Sequence, residues 1–462
     1  VNRRRSGAGL DPISHPSKGL NPMTLSNHAP APDLGTSAES ETIGAAEAAS
    51  WPPERAARGA PPSPRYAALE ARFRPIFARI RAGAAARETE RMLPYDAIGQ
   101  LKAARFGALR VPEAEGGLGA SLPDLFELLA ELAQADSNLP QALRNHFGFA
   151  EDTIGSPDDP RRRHWIPRLA AGDLFGGAWS ETGSAVVGTF ETRIHRQGDG
   201  WGLTGRKYYT TGSLYADWID VVGTGEAGEE TSVVVAAKGP GVTIEDDWDG
   251  FGQRLTASGT ATFTQAPAIG APLPTAVRFP YGTAFFQAVH LATLTGIARA
   301  AADAVTRAVR ERARTYSHAS GPRPSADPQV LQVVGRVHAL AYTAGALNRQ
   351  AAEAVQRAYE ARIGGLPEAE AQAVNVASEI ELAQAQTVLT SLVLEATTIL
   401  FDALGASATS RSHALDRHWR NARTIASHNP RIFKDRIVGD FAVNGTEPPF
   451  QWKIGRVLPA AS

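Results

Sequence analysis

Cysteine is absent from the 462-residue chain. That excludes disulfide staples, thiolate metal sites and a thiol nucleophile, and it fits a reducing interior. Charge of one sign is also missing: 47 Lys and Arg stand against 48 Asp and Glu, for a net charge of −1. No overall field therefore draws the chain to nucleic acid or to an anionic membrane. Unbroken apolar runs are lacking as well. The most apolar stretch, 387–404, has about the length of a membrane span, but Glu395, Asp402 and several threonines interrupt it. It reads as a buried helix of a bundle. Arg3-Arg4-Arg5 is followed by Gly, Pro, Ser and Asn rather than an apolar core, so no secretory signal is expected. The His, Asp and Glu residues show no metal-binding spacing, and neither a Gly-x-Ser-x-Gly elbow, a phosphate loop nor an internal repeat occurs.

What the chain does have is ordinary globular usage, 43% hydrophobic and 21% charged, over a length that suits two or three packed regions. Residues 1–63 are rich in Pro, Ala, Gly and Ser with no sustained period, and are expected to form a disordered leader. The chain opens on Val1 and has its first methionine at Met23, as expected from an alternative start codon or an upstream extension. Residues 64–172 carry helical patterns over 66–91, 95–105, after Ser121, after Pro140 and over 158–169. Ser121 with Asp124 is a candidate N-cap pair. Leu125, Leu128, Leu129 and Leu132 fall on one helical face.

The period changes at Phe175. Short Val/Thr/Tyr/Phe runs broken by glycines, such as Ser232-Val233-Val234-Val235, mark a compact antiparallel β domain over 173–277. Ala-rich helices return over about 283–317, 327–362, 367–404 and 411–427, a four-helix bundle within 278–440 followed by a tail, 441–462. The fold class is therefore α+β: an N-terminal helical domain, a central antiparallel β domain and a C-terminal four-helix bundle.

Four motifs carry a resemblance to a known family. The stretch Gly172 to Ser184 is similar to a Gly-Glu…Leu-Thr-Glu-Pro…Gly-Ser strand end, with Ser180 and Glu181 at the Thr and Glu positions. Gly205-Arg206-Lys207-Tyr208-Tyr209-Thr210-Thr211 resembles Gly-x-Lys-x-Trp-Ile-Thr. Gly252-Gln253-Arg254-Leu255-Thr256-Ala257-Ser258 resembles Gly-x-Arg-x-Thr-x-Ser, and Arg314-Thr315-Tyr316 resembles Arg-x-Phe. The helix–sheet–helix layout and these motifs together resemble the acyl-CoA dehydrogenase superfamily from about Tyr66 to Arg436.

The resemblance implies a flavin site. Trp179, Ser180, Tyr209, Thr210 and Thr211 would lie against the ring system, with Arg314 and Ser407 at a phosphate across a subunit interface of a homotetramer. It also exposes a departure. Counting from Arg420-Asn421-Ala422-Arg423, the dehydrogenase glutamate falls on Asn429, preceded by His428, and the alternative base site on the first bundle helix, 285–299, holds no carboxylate. An amide has no proton-accepting form to serve as a base. The Gly-Gly-x-Gly-Tyr loop for an adenylate is replaced by Gly405-Ala406-Ser407-Ala408, which favours FMN over FAD.

The pattern most resembles the reduced-flavin monooxygenases of the superfamily, of the dibenzothiophene type. That branch implies FMNH2 from a separate NAD(P)H:flavin reductase, O2 as co-substrate and a flavin C4a-(hydro)peroxide that oxygenates sulfur, nitrogen or aromatic carbon. His428, Ser180 and Asn145 are the candidate catalytic residues, since an imidazole both donates and accepts near neutral pH. His146, Trp248, Phe251, Phe285 and Asn429 are candidate pocket residues, and the aromatic ones suggest a small, neutral, apolar or organosulfur substrate. The branch carries a second histidine three residues before the first, where this chain has Ile425. A cytoplasmic location is expected, with no metal, nucleic acid or membrane partner. An FAD-dependent acyl-CoA dehydrogenase with a relocated base, or a flavin-free helical scaffold, are the alternatives.

Overall fold

The computed structural model describes residues 61–156, 160–182, 189–275 and 278–451. All but the end of the expected leader, together with Gly183, Ser184 and residues 452–462 of the tail, lies outside the described residues. The first helical block comprises α1 (Tyr66–Glu90), α2 (Tyr95–Ala103), α3 (Leu122–Ala135), α4 (Asn138–Ala142), α5 (Arg144–Ile154) and α6 (Arg162–Ala171). Ser121 starts α3 through the reciprocal box read from the sequence: its Oγ accepts from Asp124 N–H and the Asp124 carboxylate accepts from Ser121 N–H.

Helix α3 departs from the amphipathic pattern, because every one of its residues is buried. It lies between α1 and the long helix α7 (Gly282–Glu311). Its one charged flank is neutralised by Arg299 of α7, which donates to Glu127 at 2.6 Å. A Cβ on Gly296 of α7 would sit 2.3 Å from Ala130 O, so glycine is what lets the two helices cross this closely. Phe126 of α3 meets Phe285 of α7 with ring centroids 5.5 Å apart. The N- and C-terminal helical blocks thus share one continuous core.

The β region holds β1 (Phe175–Ala178), β2 (Arg193–Gln197), β3 (Gly200–Lys207), β4 (Trp218–Thr224), β5 (Glu230–Ala236), β6 (Val242–Ile244) and β7 (Ala261–Pro274). β4 pairs with β2 on one side and β5 on the other, so the ladder β4-β2-β3-β7-β5 returns on itself. Inward-facing Ile219, Val221, Val233 and Val235 fill it, as period-2 alternation requires. Two pairings differ from the expected antiparallel domain: β2 meets β4 in parallel at Arg193 and Thr224, and β1 runs parallel to β4, Phe175 opposite Trp218. Some forty residues separate the two strands, room for the crossover that parallel pairing needs.

The C-terminal helices are α7, α8 (Pro328–Ile363), α9 (Glu368–Ile399), α10 (Asp416–His428) and α11 (Lys434–Asn444). Asp327 caps α8 by accepting from the N–H groups of Gln329 and Val330, with Pro328 at the first helical position. The apolar stretch 387–404 is the end of α9 and a following 3-10 turn; Leu389, Val393 and Leu400 face the core while Val388 is exposed. No described helix is long and apolar enough to cross a membrane. Two boundaries shift. α7 stops at Glu311 rather than near 317, and α11 forms across the boundary expected at 440.

Candidate active site

One face of the first turns of α7 gathers the site. Phe286, Gln287 and His290 share this face at helical spacing. Each meets a different element. Phe286 lies edge-on to Trp179, just past β1, at 5.8 Å, and beneath the Arg144 guanidinium of α5 at 4.5 Å. Gln287 Oε1 accepts from Asn429 Nδ2 at 2.8 Å. His290 faces His428, the last residue of α10, with ring centroids 4.5 Å apart and planes inclined by 54°.

Asn429 locks this corner. Its carbonyl accepts from Gln386 of α9 at 3.0 Å and its Oδ1 bonds His428 Nδ1 at 3.1 Å. An amide oxygen only accepts, so Nδ1 carries the proton and Nε2 is left as the acceptor of the neutral ring. His428 is exposed at the surface. Enclosure of the rest of its side chain by protein, and then the Arg144 charge, bring its pKa down to about 4. Burial, then Arg144, then His428 drive His290 well below the ordinary range.

The strand ends supply the facing wall. Ser180, half-buried, is bridged to Tyr208, whose N–H donates to Ser180 O at 3.0 Å. Tyr209 is held at φ 60 with its ring 48% exposed, edge-on to Trp248 at 6.0 Å. An exposed aromatic in a conformation that side chains rarely adopt is typical of a ligand wall. Thr211 Oγ1 shares a proton with Ser258 Oγ at 2.8 Å, and Ser258 in turn with Thr256 at 2.7 Å. Asn145 Nδ2 donates to Thr211 O at 3.2 Å. Gly177 makes room for it, since a Cβ there would meet Asn145 Nδ2 at 2.6 Å. The turn closes at Gly212 (φ 79), where a Cβ would strike Ala142 O.

A second cleft, of about 1140 Å³, lies at the other end of α7 and brings Arg314 and Ser407 together. Arg79, Arg81, Arg307 and Arg417 also line it, a setting suited to phosphate oxygens. Arg314 is exposed, past the end of α7 rather than on it. Arg312 donates to Arg314 O at 3.1 Å and to Leu404 O, tying the 312–316 segment to the Ser407 turn. Thr211 and Ser180 therefore lie toward one end of α7, and Arg314 and Ser407 toward the other.

Several expected site residues have other duties. His146 is wholly buried: its Nε2 bonds Gly107 O at 2.9 Å and its Nδ1 accepts from Phe175 N–H at 3.3 Å. It is a satisfied core histidine, and burial brings its pKa down to about 4. Phe285 sits in the helical core with Phe126 and Phe279; its neighbour Phe286 faces the cleft. Phe251 is 55% exposed and stacks on Trp419, nine residues or about 13 Å along α10 from His428. Thr210 is buried and spends its hydroxyl on Gly259 O at 2.9 Å. Trp179 gives its N–H to Asp220 at 3.0 Å and stacks under Arg278, so it walls the cleft through its ring alone. Trp248 donates its ring N–H to Gly252 O, accepts from Arg91 at its carbonyl and meets Tyr209 edge-on. The sequence reading missed His290, Gln287, Phe286, Arg144 and Ser258. The first three were visible as an i, i+1, i+4 set in a run inspected only for carboxylates.

The nearest buried acid along α7 is Glu379 of α9. It accepts from Ala284 N–H at 2.6 Å, and burial pushes its pKa up to about 7 against the pull of Lys434. It caps the start of α7, six residues or roughly 9 Å from His290.

This arrangement is that of a flavoenzyme fold with an amide and an imidazole where a carboxylate base would stand. The chain belongs to the acyl-CoA dehydrogenase superfamily: it matches the family's N-terminal domain over 67–173 and its C-terminal domain over 288–430. Dibenzothiophene monooxygenase of Rhodococcus qingshengii is 28% identical over 371 residues, 75% of this chain and 86% of the relative. "Probable FMNH2-dependent monooxygenase SfnC" of Pseudomonas putida is 26% identical over 74% of this chain and 86% of its own length. Among solved structures, FMN-bound TdsC of Paenibacillus sp. A11-2 superposes with a TM-score of 0.74 at 27% identity, covering 83% of this chain and 98% of that one.

Proposed function

We propose that the chain is a flavin-dependent monooxygenase that takes reduced FMN from a separate reductase and oxygenates a small organosulfur compound at sulfur. The observation that carries this reading is the corner around Asn429, where a hydrogen-bonded amide and two facing imidazoles stand in place of a base. The residues fit FMN. An exposed Tyr209 ring and the Thr211–Ser258 hydroxyl pair suit the ring system, and the arginine-lined cleft with Arg314 and Ser407 suits a terminal phosphate. Because those two groups lie at opposite ends of α7, a neighbouring copy supplies the phosphate end, which favours a tetramer.

Bound reduced flavin would activate dioxygen and deliver one oxygen atom to the substrate. The protein's part is orientation and proton handling. Asn429 holds His428 with Nδ1 protonated, so Nε2 is ready to take or return a proton at neutral pH. Asn145 and Ser180 set the opposite wall, and the rings of Trp179 and Phe286 keep water from it. The reading places the reaction in the cytoplasm, where reductant is available.

The test supplies the protein with FMN, NADH, a generic flavin reductase and a panel of sulfides, sulfoxides and sulfinates under 18O2. A product heavier by one labelled oxygen is expected, and only with the reductase present. Anaerobic bleaching of a tightly bound yellow FAD by an acyl-CoA, without oxygenation, would establish the dehydrogenase instead.

A further inference from the structure

Arg144 is a half-buried cation that no acid answers. Its Nε donates to Phe286 O at 3.3 Å and its plane lies over the Phe286 ring. These contacts hold the side chain without cancelling its charge. Among the described residues no carboxylate forms an ion pair with it. Three other enclosed guanidiniums are each met by acids: Arg110 by Glu151, Arg278 by Asp152 and Asp220, and Arg299 by Glu127. A half-buried charge without an acidic partner favours a bound counter-ion.

A second observation points the same way. His290, 1% exposed, has no partner for either ring nitrogen, although buried polar groups are almost always paired. It lies one turn along α7 from Phe286, against the ring of His428. The groups around this pair from every packed element are basic or neutral: Arg144 from α5, Gln287 from α7, Gln386 from α9 and Asn429 at the end of α10. Burial lowers the Arg144 pKa to about 9, still charged at neutral pH. Both imidazoles stay neutral there; the N–H of His428 is already given to Asn429, which leaves the N–H of His290 to donate.

We infer that Arg144 and His290 form the seat for an anionic group on the substrate, a sulfinate, sulfonate or carboxylate whose oxygens accept from the guanidinium and the imidazole N–H. Resting on the oxygenase reading for its identity as the substrate site, this narrows the substrate from a neutral apolar molecule to a small organosulfur acid. Its aromatic or aliphatic part would lie on Phe286 and Trp179. Arg144 and His428 are both reachable from solvent, so the seat is open to a diffusing ligand.

Calorimetric titration of the flavin-free protein tests the seat, with benzenesulfinate as the anion and methyl phenyl sulfone as its neutral shape match. The wild type should prefer the sulfinate by about tenfold or more, the effect of a charge-assisted contact. Arg144→Gln should lose that preference while binding the sulfone unchanged, and Arg144→Lys should keep part of it. The His290 and His428 ring signals should shift in NMR spectra on adding sulfinate to the wild type, a readout that survives if Arg144→Gln fails to fold. Arg310→Gln, on the exposed face of α7, should change nothing. Equal affinity of the wild type for sulfinate and sulfone overturns the inference. So does sodium sulfate matching the sulfinate, which would leave an unspecific anion seat. An anaerobic titration with FMNH2 separates the other source of negative charge: loss of FMNH2 binding in Arg144→Gln with sulfinate binding intact assigns the arginine to the flavin and refutes the proposal. Neither flavin nor oxygen enters the sulfinate titration, so its failure leaves the oxygenase reading standing, and a failed oxygenase assay leaves the titration informative.

Discussion

Replacing Asn429 by aspartate puts a carboxylate back at the dehydrogenase position while leaving shape nearly unchanged, and the structure sets what should follow. The new carboxylate would stand about where Asn429 Oδ1 stands, 3.1 Å from His428 Nδ1. At an effective dielectric of about 20 the attraction to a protonated ring is about 5 kcal/mol at that range. The exposure of His428 lets solvent screen much of it, and carboxylate neighbours usually move a titrating group by about 1–3 units. The His428 pKa, about 4 in the native protein, should therefore rise to between about 5 and 7. At pH 6 the protonated fraction would grow from about 1% to about half, and Nε2 would cease to be an acceptor. Gln287 can turn its amide to donate to the carboxylate, so the fold should persist. Histidine-labelled NMR titration measures the shift directly, with His428→Gln to assign the signal. The acid limb of the pH–rate profile should move up by the same interval. A His428 pKa that stays within about half a unit of wild type would refute the electrostatic account of this corner.

Acid should weaken the fold through His146. Its native pKa, about 4, lies below its unfolded value, so neutral His146 stabilises fully above about pH 6.5 and that contribution is lost as the pH falls toward 4; urea unfolding should show about 2 kcal/mol less stability at pH 5 than at pH 7 from this residue. A His146→Gln variant should lack that part of the loss, and its full persistence there would refute the assignment. Arg110→Met strands Glu151, which is left bonded to Tyr281 alone, and should cost about 3–5 kcal/mol in the same assay. Arg314→Ala should weaken FMN about 10- to 100-fold by fluorescence quenching while leaving riboflavin unaffected, because the guanidinium is read as a phosphate contact.

Much of the fold was legible from one-dimensional pattern. The Ser121–Asp124 box, the change of period at Phe175 and the Ala-rich runs placed most elements within a few residues, because caps and periodicity are local properties. The parallel β1–β4 pair was not legible, since strand direction depends on which distant segments meet. At the site, the exchange of a base for Asn429 could be counted from the Arg420-Asn421-Ala422-Arg423 run. Phe285 was preferred to Phe286 because adjacent residues of one helix differ by about 100° in direction, and only the packing of Phe126 and Trp179 says which points inward. His146 was mistaken for a pocket residue because its partners, Gly107 and Phe175, are backbone groups that leave no trace in side-chain motifs.

The sequence by itself determined the helical and strand segments, the missing carboxylate and the arginines fit for phosphate, all of which follow from residue type and spacing along a chain. Only the tertiary structure decided that His290 faces His428, that Arg144 has no acid beside it, and that Arg314 and Ser407 sit at the far end of α7 from Thr211. Those facts are relations between side chains that packing brings together from segments far apart in the chain.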